Sequence, residues 1–369
     1  MNIKFTLRKE GIKVIKQLDT LRINSIASKI ANALCSTFPE HGFSSNDLFI
    51  EICNLNMYLA NFEDNSIGAK YFYKNKSIYF NANFDLDSID MFSLHECIHY
   101  LQEKYDSRGK LSHLGLYNLS KNYGIGLNEA AVQLMTSECL KMQPEEVKYY
   151  NLSLSTSSPT NYPLECALLR QVCYFTGSYP LYHSTLCCDD IFKNTFSTLS
   201  DEKTFYIVQE NLDRMLALEN ELDYYTSLLA HYENNIRKIR NLNNIIEKYR
   251  QEISQLFLTT QNRIISYCFS KEFHEIKTLE AITEFKNKLY NFKSLIAYNE
   301  AYTFYNEFYC KAMEKLEEKR KEIEETSLSI IRNEITKDIT VVSNAKGAFS
   351  FLKRIAYRLG ISKRKEMLQ

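Results

Sequence analysis

The chain has 369 residues, with 45 Lys plus Arg against 45 Asp plus Glu. No global field therefore draws it to nucleic acid or to acidic partners, and any specificity must lie in a local site. Phe and Tyr are abundant, Trp is absent, and Gly (10) and Pro (5) are few, which argues against long disordered linkers and for a compact, helix-rich fold of about two domains.

The first segment, "MNIKFTLRKEGIKVIKQLDTL", scatters charge where a secretory signal would be apolar. No later window reaches the roughly 18 uncharged apolar residues of a membrane span. The expected location is cytoplasmic. The ten cysteines agree, since none forms a C-x-x-C pair; residues such as Cys166 and Cys173 read as reduced, buried hydrophobes. Adjacent Cys187 and Cys188 have no ligand spacing nearby.

In chain order, residues 8 to about 37 read as one helix, stopped by Pro39. The period then shortens: Phe49, Ile50 and Ile52, then Ala69, Tyr71 and Tyr73, then Ile78 and Phe80 predict the strands of a small sheet. Lys74-Asn75-Lys76 is the expected hairpin turn between its last two strands. Helical spacing returns at Asp85, with interruptions around 107–126, 152–162 and 177–181. After about residue 201, Leu222, Tyr225, Leu229, Tyr232, Ile236, Ile239, Ile246 and Ile253 fall on one heptad seam, with Asn243 and Arg250 at inward positions. This predicts a long helix whose expected partner is a return helix from "FYNEFYCKAMEKLEEKRKEIEETSLSIIRNEI", with a second chain as the alternative. The last 29 residues hold seven Lys or Arg against one Glu. Phe351, Leu352, Ile355 and Leu359 share a face there, a pattern read mainly as a terminal helix docking on its own protein, with peripheral membrane contact as the lesser reading.

The stretch "FSLHECIHYLQEK" carries the chemistry. On a helix, Met91, Leu94, Ile98, Leu101 and Tyr105 form a core-facing stripe, and His95 and His99 lie side by side on the next sector with Phe92, Glu96 and Glu103. Two imidazoles at i and i+4 aim nitrogens at one ion from a rigid support, and a glutamate directly after the first stands close to a metal-bound water without ligating the metal. A site of this kind needs a third protein ligand. A histidine six residues after His99, behind a glycine, would give the long metzincin motif, but Tyr105 and Gln102 stand there. Glu103 is too near along the helix and is expected in a salt bridge or supporting role. Glu129, in "GIGLNEAAVQLMTSECL", is the best candidate: Gly124 and Gly126 break the preceding segment, Asn128 is placed to cap a new helix, and a second helix packed across the first can deliver the carboxylate.

His95-Glu96-Cys97-Ile98-His99 followed by Asn128-Glu129-Ala130-Ala131 resembles the gluzincin, or thermolysin-like, zinc metallopeptidases. The resemblance covers about 60 residues. It implies Zn2+ on His95, His99 and Glu129, Glu96 as general base, and an edge strand, expected in "KSIYFNANF", that binds extended substrate by main-chain pairing. Where the family often has an aspartate four residues after the glutamate ligand, this chain has Gln133, whose oxygen can accept from His95 without adding charge. The family also supplies a Tyr or His for the oxyanion; Tyr117, Tyr123 and His183 are the candidates. The expectation is a zincin-like α+β catalytic domain over 1–200, a helical bundle or hairpin over 201–340 and a basic amphipathic tail over 341–369. Its activity would be zinc-dependent hydrolysis of a protein or peptide. The alternative is a silent zincin-like scaffold whose C-terminal helices bind a protein partner.

Overall fold

The computed structural model describes residues 3–64, 67–83, 85–86, 91–232 and 235–343, and the fold is α+β. The basic tail from residue 344 onward lies outside the described residues. No helix among the described residues is long and apolar enough to cross a membrane.

The single helix expected over 8–37 is three elements: α1 (Ile3–Lys9), β1 (Ile12–Gln17) and α2 (Thr20–Thr37). The Asp19 carboxylate accepts from the Arg22 N–H at 2.9 Å and so starts α2 afresh, a cap that the continuous apolar spacing conceals. The strand expected around Phe49–Ile52 is instead α3 (Ser45–Cys53), because Ser44 accepts from the Asp47 N–H at 3.3 Å and only Ile52 of the short run is buried.

The sheet comprises β1 with β2 (Asn56–Phe62), β3 (Ala69–Phe72) and β4 (Ser77–Asn81) in the order β1-β2-β4-β3. β2 runs antiparallel to β1 and parallel to β4, and β3 is antiparallel to β4. The turn at Lys74-Asn75-Lys76 does join β3 to β4, with Lys76 at φ 47°. "KSIYFNANF" does not form the edge. β4 is paired on both sides and buried throughout, so its main-chain groups are already used; the edges are β1 and β3, of which β3 lies against α4.

Next come α4 (Met91–Leu101), a three-stranded sheet of β5 (Glu103–Tyr105), β6 (Leu111–Leu114) and β7 (Tyr117–Asn118), α5 (Ile125–Cys139), and the hairpin β8 (Glu145–Tyr149) and β9 (Leu152–Thr156). Two of the three stretches read as interruptions, 107–126 and 152–162, thus contain strands. Helices α6 (Pro163–Thr176), α7 (Tyr179–Cys187), α8 (Ile191–Leu199), α9 (Glu202–Ala230), α10 (Ile236–Glu275), α11 (Leu279–Phe292) and α12 (Phe304–Ser343) complete the described chain. α5 is buried on nearly every side, from Leu127 through Met135, because α4, α6 and α9 all pack on it. Each large apolar side chain withdrawn from water in this way contributes about 1.5–3 kcal/mol.

Among the described residues, those up to 274 together with 289–305 form one compact unit, and those of 275–288 and 306–343 a second. Residues 201–274, read as part of the helical extension, lie within the first. There α10 turns back along α9: Arg214 meets Glu252 at 2.8 Å, Asn211 meets Thr260 at 2.8 Å, and the Tyr225 and Tyr249 rings stack at 5.5 Å. The partner of the α9 seam is therefore the next helix, because the helix breaks after Ala230, and Asn243 and Arg250 face solvent. In the second unit α12 carries ion pairs of Arg320 with Glu317 and Glu324 on an exposed face.

Candidate metal centre

α4 presents His95 and His99 one turn apart, and α5 crosses it to present Glu129. The two Nε2 atoms lie 3.0 Å apart, and the Glu129 Oε2 lies 3.3 Å from that of His95 and 3.4 Å from that of His99. Both imidazoles are buried, and a carboxylate oxygen with two ring nitrogens converges on one point. Bonds of about 2.0–2.1 Å at tetrahedral angles separate neighbouring ligand atoms by about 3.3 Å, so this triangle has the dimensions of one face of a tetrahedral site.

The outer nitrogens set the inner ones. His99 Nδ1 donates to Gln102 Oε1 at 2.9 Å, and the Gln102 amide is oriented by a backbone carbonyl, since its Nε2 donates to Thr185 O at 3.1 Å. Asn128 completes this lock: it exchanges hydrogen bonds with Gln102 at 3.1 and 3.2 Å and accepts from the Leu116 N–H at 3.0 Å. His95 Nδ1 faces Gln133 Oε1 at 3.0 Å. With both Nδ1 atoms donating outward, neutral rings turn their Nε2 lone pairs towards each other and towards a carboxylate. Three converging lone pairs repel unless a proton or a metal ion lies among them, and the donor set of two imidazoles and one carboxylate suits a divalent ion such as zinc.

The electrostatics agree. Burial alone would lower the His99 pKa, but the Glu129 carboxylate outweighs it and raises it to about 9. Burial alone would raise the Glu129 carboxyl, but His99 and His95 outweigh it and hold it well below the usual carboxylate range. The cluster thus attracts a cation. Burial raises the Glu96 carboxyl, opposed by His95, His99 and the Tyr71 N–H, which donates to Glu96 Oε2 at 2.6 Å. Tyr71 belongs to β3, so an edge of the sheet runs beside Glu96.

Of the remaining expected residues, Glu103 is not on α4 but in β5, where its nearly buried carboxylate accepts from Tyr71 and Tyr105 hydroxyls and pairs with Lys76 at 3.4 Å. Tyr117 donates to Asn122 at 2.7 Å. Tyr123 pairs through its backbone with Asn118, and its ring lies under Lys121. His183 meets Asp189 at 3.2 Å and stacks with Tyr179. These contacts do not bring the three oxyanion candidates to the cluster. Asn128 does not cap α5, which begins at Ile125 behind Gly124 and leaves Glu129 in its second turn.

Sequence reasoning missed Tyr162. It precedes Pro163 at the head of α6 with φ 51° and ψ 44°. Its ring stacks near that of His95 at 6.0 Å, and its hydroxyl is in hydrogen-bond contact with Glu129. The Glu129 charge, then burial, keep this phenol protonated well above its ordinary value.

No family model, curated protein or solved structure matches the chain.

The described residues give a buried two-imidazole, one-carboxylate cluster with oriented outer partners, a carboxylate beside it, a protonated phenol opposite and a sheet edge alongside.

Proposed function

We propose that the chain is a zinc-dependent peptidase acting on an extended peptide or protein segment. The observation that carries the reading is the triangle of His95, His99 and Glu129 ligand atoms, with edges of 3.0, 3.3 and 3.4 Å and lone pairs turned inward. A zinc ion held there would polarise the scissile carbonyl and acidify a water molecule. Glu96 would accept the proton of that water and pass it to the leaving amine, and burial raises its carboxyl, which favours holding the proton between the two steps. Tyr162, kept protonated, is placed to donate to the oxygen on which negative charge develops. β3 offers its edge for main-chain pairing with the substrate, which would align the scissile bond along the α4 face. Gln102 and Gln133 hold the imidazoles in the ligating tautomer.

The test combines metal content and turnover. Purified protein should carry about one equivalent of zinc, and His95→Ala or Glu129→Ala should lose it. Glu96→Gln should keep the metal and lose about 10²-fold or more in peptide cleavage. Full metal retention in both ligand variants sinks the site. Metal-loaded wild type that cuts nothing in a broad peptide library would turn the reading to a scaffold whose C-terminal helices serve a protein partner.

A further inference from the structure

Building on the metal-centre reading, we propose that Asp213, on α9, is a positioning residue for the metal ligand Glu129, so that the C-terminal half of the chain is part of the centre. The first N–H groups of a helix have no partner within it. In α5 no local side chain serves them: Gly124 stands at the cap without a side chain, and Asn128 is committed to Gln102 and Leu116. The partner comes from 89 and 87 residues away. Asp213 Oδ2 accepts from the Gly124 N–H at 2.6 Å and Oδ1 from the Gly126 N–H at 2.8 Å. Both carboxylate oxygens are used, and the negative charge sits at the positive end of the helix dipole.

The same contact fixes distance. A Cβ on Gly126 would lie 2.4 Å from the Leu212 carbonyl oxygen, so the α9 backbone itself rests on the first turn of α5. α5 therefore cannot slide or rotate without breaking the Asp213 bonds or striking α9. Glu129 follows Gly126 by three residues and Gln133 by seven, all on the one helix α5. A ligand oxygen must be held to within a few tenths of an ångström, so loss of the Asp213 clamp is expected to loosen the third ligand while leaving both imidazoles on α4 in place.

Cobalt titration of the full-length chain tests this, with Asp213→Ala beside wild type and Glu129→Ala. The expected result is a cobalt affinity about tenfold to hundredfold weaker in Asp213→Ala, with the visible cobalt spectrum shifted towards that of Glu129→Ala. Affinity within about twofold of wild type and an unchanged spectrum overturn the inference, even where the unfolding temperature of the metal-free protein falls, because that pattern marks a cap that only stabilises. Should Asp213→Ala not fold, Asp213→Asn keeps the shape and one acceptor and is judged by the same two readouts. Wild type that binds no cobalt overturns the metal-centre reading itself, a result distinct from the other two.

Discussion

Gln102 holds His99 in one tautomer: its Oε1 accepts from His99 Nδ1 at 2.9 Å while its Nε2 is committed to the Thr185 carbonyl at 3.1 Å. Gln102→Leu keeps the volume and removes the acceptor. Metal affinity should fall about tenfold to hundredfold, measured by competition with a chelating dye, while the Glu96→Gln variant keeps wild-type affinity. Equal affinity in Gln102→Leu and wild type would remove the amide from the account.

Gly115 leaves no room for a side chain beside that amide. A Cβ there would lie 2.2 Å from Gln102 Nε2, 2.4 Å from Asn128 Oδ1 and 2.7 Å from Thr185 O, and the residue has φ +55°. Gly115→Ala should destabilise the fold by roughly 2–4 kcal/mol, from overpacking and left-handed strain together. Urea unfolding gives the number. A loss under about 0.5 kcal/mol would mean that the network yields freely.

Tyr162→Phe removes the hydroxyl at the cluster and little else. On the peptidase reading kcat should drop about 10²- to 10³-fold with KM and zinc content nearly unchanged. A fall in zinc content matching the fall in rate would assign the hydroxyl to holding Glu129 instead.

Glu165 on α6 faces Glu219 on α9, with the two carboxyls within hydrogen-bond reach of one another. Burial, then Glu219, push the Glu165 carboxyl well above its ordinary value; burial raises Glu219 to about 7. Both folded values exceed the unfolded ones, so the native state binds more protons than the unfolded state in this range. Stability from the pair is present below the ordinary carboxyl pKa and is lost as pH rises through about 7. Thermal unfolding should show wild type losing about 2 °C or more between pH 5 and pH 8 relative to Glu165→Gln, which cannot ionise. Parallel pH curves would show that the two carboxyls do not share a proton.

The cluster of His95, His99 and Glu129 was legible because its parts are local: His95 and His99 are fixed by one helical turn, and Glu129 by a short distinctive run. What escaped depended on contacts far apart in sequence. Gln102 and Thr185 are 83 residues apart, and the Asp213 bonds to Gly124 and Gly126 span 89 and 87. Tyr162 was invisible for another reason, since its left-handed backbone follows from packing and only Pro163 marks the helix start. Within the fold, apolar spacing located the helices but hid the caps at Asp19 and Ser44, so one strand was read as helix and one helix as strand. "KSIYFNANF" was read as an edge but is central because β2 pairs with β4 in parallel, across the intervening β3 in sequence, and nothing in a strand's own residues reveals its neighbours.

The hydrogen bond from the Tyr71 amide to Glu96 carries an implication for order. An amide hydrogen serves one strong acceptor at a time, and the amide that holds the carboxylate at 2.6 Å lies on the sheet edge that an incoming strand would claim. On the peptidase reading, a docking segment and the resting base compete for one donor. Arrival of the segment would release the carboxylate, making the base available chiefly once there is something to cut.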